Sequence, residues 1–183
     1  MKTFKPVVSI DTVYVSDWIK EVQKKPELKR IFRDEIVRCK KHDILLRNIK
    51  GNLPELKKLL EKINGEFYGE DHVYRYYHHS KKVYYTQETT KKMVDMLRKL
   101  SPHKGKWEFH RYFQRLLEKG CADRQWAPAD NKDWQNVTAP FIEVFFHARY
   151  FLEQAIWYGT VYDRAPRCMG FGWACLLHLY EIR

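Results

Sequence analysis

The sequence predicts an all-α, single-domain bundle of about seven helices wrapped around one apolar helix, with an extended N-terminal arm. Three observations predict it. Apolar residues recur at helical spacing along most of the chain. The one segment that reads as a strand, Val7 to Val15, has no partner strand to pair with. The 183 residues are 44% hydrophobic and 15% aromatic, which excludes a disordered or collagen-like chain and suits a single core. A chain of this length buries roughly 70% of its unfolded surface, so it needs no disulfide or metal to stay folded.

The elements follow in order. Residues 1–15 form the arm, with Val7 to Val15 β-branched and roughly alternating, lying across the bundle or across a second subunit. Ser16 then has the chemistry of an N-cap for a short helix, Asp17 to Lys24. Pro26 suits the first position of the next helix, where its missing N–H is not needed. Leu28, Ile31, Phe32, Ile36 and Val37 give that helix an apolar stripe. Ile44, Leu45, Leu46 and Ile49 make a further short helix, stopped at Gly51 and Asn52. Pro54 opens another, with Leu56, Leu59, Leu60 and Ile63 inward and a stop at Asn64 and Gly65.

From Glu70 to about Leu100 the spacing predicts one long helix. Its seam runs through Val73, Tyr76 and Tyr77, Ser80, Val83 and Tyr84, Gln87, Thr90, Val94 and Leu97 in steps of three and four. Ser101 and Pro102 end it. Trp107 to Glu118 is the next helix, and Cys121 to Val137 reads as a loop. Thr138 caps a helix reaching about Tyr158, apolar on almost every side and therefore the central one. A turn at Asp163 to Pro166 and a last helix, Gly172 to Tyr180, complete the bundle.

Charge narrows the partners. Lys and Arg number 34 against 23 Asp and Glu, a formal charge of +11. Residues 1–104 carry 24 basic and 14 acidic side chains, whereas residues 105–183 carry 10 and 9. A basic N-terminal half suits an anionic partner, so nucleic acid is one alternative reading of function. The interleaved acids suit an ordinary solvated surface equally well. The four cysteines form no C-x-x-C pair, and no run of eighteen residues is free of charge. Together these predict a cytoplasmic protein with reduced thiols and no membrane partner.

The central helix carries the most informative pattern. At about 100° per residue, Glu143, His147, Tyr150 and Gln154 fall on one stripe, with Tyr158 at its edge. A carboxylate beside an imidazole can shift each other's pKa and move protons, and one turn apart the two can share an ion. Glu143 and His147 are thus the candidate catalytic pair, and Tyr150 and Gln154 would orient a bound group. His72 and His79 are seven apart on the long helix, with Tyr76 between them. Should they face the stripe, a Zn, Fe or Mn site would assemble. The same stripe on a helix facing solvent, or in an inert internal network, would do no chemistry. The expected function is a small-ligand or metal pocket inside the bundle. A non-enzymatic protein that self-associates, as a homodimer, is the third reading.

Overall fold

The computed structural model describes residues 13–67, 80–103, 134–167 and 170–182, with side chains described except over 66–67, 80–87 and 134–144. The described residues form seven helices and no strand. These are α1 (Val15–Gln23), α2 (Pro26–Ile31), α3 (Arg33–Gly51), α4 (Leu53–Phe67), α5 (Ser80–Leu100), α6 (Trp134–Val161) and α7 (Phe171–Leu179). The expected helix Trp107 to Glu118 and most of the arm lie outside the described residues.

The helix α6 is the hub, packing against α3, α4, α5 and α7. One buried cluster draws on α1 and on α3 through α7, with Trp173 and Tyr180 as its largest fully enclosed side chains. In α1, Val15, Ile19 and Val22 recur at helical spacing and are all buried, which fixes its inward face. The helix starts at Val15, and Ser16 sits within its first turn without capping it. The reason is a short antiparallel pairing, Tyr14 with Pro166. Val15 N–H donates to Ala165 O at 3.0 Å and Arg167 N–H to Val13 O at 2.8 Å. An orphan donor of the first turn is thereby satisfied by tertiary structure.

The stripe expected from Leu28 to Val37 is broken at Phe32, where φ is −99° and ψ is 23°. The break rotates the pattern, leaving Ile31 and Val37 exposed. Beyond it α3 is one continuous helix, not a separate short one from Ile44. Its buried face is Ile36, Cys39, His42, Leu45, Leu46 and Ile49. Gly51 and Asn52 do end it, and Asn52 Nδ2 donates to Asn48 O at 2.8 Å. Asn64 and Gly65 do not stop α4, which runs on to Phe67. Arg149 of α6 donates to Asn64 Oδ1 at 3.2 Å, so the amide makes a tertiary contact.

The C-terminus of α5 is closed by other elements. Tyr180 Oη donates to Leu97 O at 2.6 Å, and Asn48 Nδ2 of α3 donates to Leu100 O at 3.2 Å. Both carbonyls belong to the last turn, where a helix has no partner of its own. The helix α6 begins at Trp134, ahead of Thr138, and takes in residues expected to be loop.

Candidate functional site

The polar stripe of α6 sits beside α7. Tyr158 is buried, and its hydroxyl accepts a hydrogen bond from the Trp173 backbone N–H at 3.0 Å. The residue preceding α7 is Gly170, which has no side chain to cap with, so Tyr158 supplies the cap from α6. One turn earlier, Gln154 lies against Gly172, where a Cβ would collide with the Gln154 amide. Half-buried Tyr150 neighbours Cys175, and burial first, then that thiol, raises its phenol pKa. Three of the five stripe positions therefore meet the last helix. His147 is half-buried, and the side chain of Glu143 lies outside the described residues. His72, Tyr76 and His79 also lie outside them. Among the described residues no group of three or more His, Cys, Asp or Glu side chains is arranged to hold a metal ion. The side of α6 turned to solvent is instead partly apolar, with Trp157 and Val161 about half exposed.

A different cluster has the geometry of a site. A cavity of about 140 Å³ lies between α3 and the C-terminal turn. Its walls include Glu35, Arg38, Cys39 and His42 of α3, together with Arg167, Leu177 and Ile182. Glu35, Cys39 and His42 stand at i, i+4 and i+7, so one helix face presents all three. A shallower groove of about 410 Å³ shares Arg38 and Ile182 with the cavity and adds Asp34, Val37, Lys41 and Glu181.

The far wall is set by the end of α7. Glu181 N–H donates to His178 O at 3.1 Å and Ile182 N–H to Leu177 O at 2.8 Å. Glu181 has φ of 50°, the left-handed residue of a Schellman turn. The turn folds Ile182 back beside Leu177, and both close the cavity. Arg167 is placed by the pairing with Val13, and its guanidinium lies 4.3 Å over the Trp18 ring.

The electrostatics are asymmetric. Arg38 bridges Glu35 at 3.0 Å, so those two charges offset each other. Arg167 has no carboxylate within ion-pair distance among the described residues. Burial first and the Glu35 carboxylate second push the Cys39 thiol up to about 11, against the pull of Arg167. Cys39 is thus a thiol at neutral pH, not a nucleophilic thiolate. Burial lowers the His42 pKa to about 4, so the imidazole is neutral. His42 is 7% exposed, its Nε2 has no hydrogen-bond partner among the described residues, and its ring meets Trp173 edge-on at 6.5 Å.

Comparison with protein families, with characterised proteins and with solved structures finds no match to this chain. The site is read from its own chemistry. Sequence reasoning passed over Cys39 and His42 because they fell in the gap between two expected helices. The signal was the Glu35, Cys39 and His42 spacing, visible only once α3 is continuous.

Proposed function

We propose that the protein binds a small molecule in the cavity between α3 and the C-terminal turn. One observation carries this reading: the cavity wall brings together two guanidinium groups, a buried thiol and a buried, neutral imidazole from α3, the segment before α7 and the C-terminal turn. Several elements converge on the cavity, and the Schellman turn and the Arg167 pairing pre-form its walls. The thiol and the neutral imidazole favour binding over nucleophilic catalysis. The α6 stripe is the less favoured place for a pocket, because Tyr150, Gln154 and Tyr158 lie against α7.

Thermal melting of the full chain against a panel of neutral, cationic and anionic fragments tests the reading. At least one fragment should raise the melting temperature saturably. Cys39→Leu, which narrows the cavity, should abolish that rise while keeping the fold. A panel without effect, or a rise that survives Cys39→Leu, overturns it.

Nucleic-acid binding by the basic half has weaker support, because much of that charge is offset locally. Lys92 pairs with Glu88, Lys99 with Glu55, and Arg98 with Asp95. The homodimer carries forward as a proposal supported by the exposed Trp157 and Val161. Sedimentation should give twice the chain mass, reduced to one by Trp157→Glu. A single-chain mass for the unaltered protein contradicts it.

A further inference from the structure

We infer that the ligand is a small monocarboxylic acid, its carboxylate held by Arg167 at the α3 cavity and its apolar body lying between Leu177 and Ile182. The inference rests on the cavity being a binding site and names the class of molecule that it takes. Charge is the first support. Of the two guanidinium groups in the wall, Arg38 is bridged to Glu35 at 3.0 Å, and Arg167 has no carboxylate within ion-pair distance among the described residues. With Glu35 set against Arg38, the wall carries a net single positive charge, which matches a singly charged anion and leaves the second charge of a dianionic phosphate unanswered. The Arg167 guanidinium carbon lies 4.3 Å from the centroid of the Trp18 ring, a cation–π contact that helps hold in place a group able to take a carboxylate in bidentate fashion.

Size and polarity are the second support. At about 140 Å³ the cavity approaches the roughly 150 Å³ that accommodates a benzene ring in an apolar protein interior. The neighbouring groove, through Val37 and Ile182, admits a slightly longer body. The neutral His42 and the protonated Cys39, whose thiol donates to Glu35 at 3.9 Å, line the cavity without adding charge.

Calorimetric titration of the full chain with benzoate, benzamide and inorganic phosphate separates the possibilities. Benzoate should bind about tenfold more tightly than benzamide, the usual advantage of a charge-assisted bond over a neutral one. Phosphate should bind more weakly than benzoate. Arg167→Met removes the guanidinium while keeping an unbranched side chain, and should cost benzoate about tenfold and benzamide less. Equal affinity for benzoate and benzamide in the unaltered protein overturns the inference and leaves the binding reading standing. So does phosphate binding more tightly than benzoate. Fragments of other classes that bind while benzoate does not have the same effect. No binding by any fragment removes both. Because the benzoate–benzamide comparison needs no variant, a poorly folded Arg167→Met would not spoil the test.

Discussion

Single polar atoms decide several of the joints in this molecule. Tyr180 is fully buried, and its hydroxyl is the partner of the Leu97 carbonyl at the end of α5. Removing it leaves a buried acceptor unsatisfied. Tyr180→Phe should therefore lower stability by about 1–3 kcal/mol, read from urea denaturation. An unchanged midpoint would show that the carbonyl finds another partner. Burial of the same hydroxyl raises its pKa far above the usual range for a phenol, so it stays protonated as a donor.

His42 has the opposite character. Its folded pKa is about 4, below the ordinary 6.5. A depressed pKa means that the unfolded chain takes up the proton first. The stability it contributes is complete above pH 6.5 and is lost as pH falls towards 4. On the order of 3 kcal/mol is at stake. His42→Leu should flatten that part of the pH–stability curve without loss at pH 7. Parallel curves for the two proteins would mean that His42 is solvated, and the cavity wall would need redrawing.

At the scale of elements, close approach matters more than pattern. Gly159 lies where α6 crosses α3, and a Cβ there would come within 2.6 Å of Ile49 Cγ2. Ile49 is fully buried and β-branched, so it has little freedom to swing aside. Gly159→Ala should be destabilising by about 1–3 kcal/mol from overpacking, despite the better helix propensity of Ala. Ile49→Leu, which removes the offending branch, should restore part of the loss in the double variant. The Schellman turn offers a contrasting case. Glu181 holds a left-handed conformation that glycine adopts freely, so Glu181→Gly should stabilise the protein by about 1 kcal/mol. Thermal unfolding that shows a loss instead would place the Glu181 side chain in a stabilising contact.

The elements also show what the sequence could reveal. Periodic runs such as Leu56 to Ile63 and Thr90 to Leu97 read correctly as helices, because alternate threes and fours leave no other face to bury. Punctuation was less informative. Asn64 and Gly65 look like a stop, yet Arg149 occupies the Asn64 amide and the helix continues. Ser16 looks like a cap, yet Ala165 takes the donor of Val15. In α3 the run Arg38 to Asp43 is charged enough to pass for a linker, although Cys39 and His42 face the core. Each of these turns on a partner distant in sequence, which local spacing does not encode.

For the whole molecule, the all-α architecture and the role of α6 as its hub were legible in composition and periodicity. Where the polar groups of α6 would point was not. Its stripe was legible as a row of polar side chains, but its neighbour is α7, more than ten residues further along the chain. The cavity was hidden for the same reason. It needs Glu35, Cys39 and His42 from one helix, Arg167 from a loop tied to the arm, and Ile182 from the C-terminal turn. No helix among the described residues is long and apolar enough to cross a membrane. The most direct test of the account is an NMR titration of the full chain with benzoate, following backbone amides and tryptophan indoles. Saturable shifts should concentrate at Cys39, His42, Arg167, Leu177 and Trp173. Shifts centred instead on His147 and Tyr150 would return the site to the α6 stripe and contradict the account.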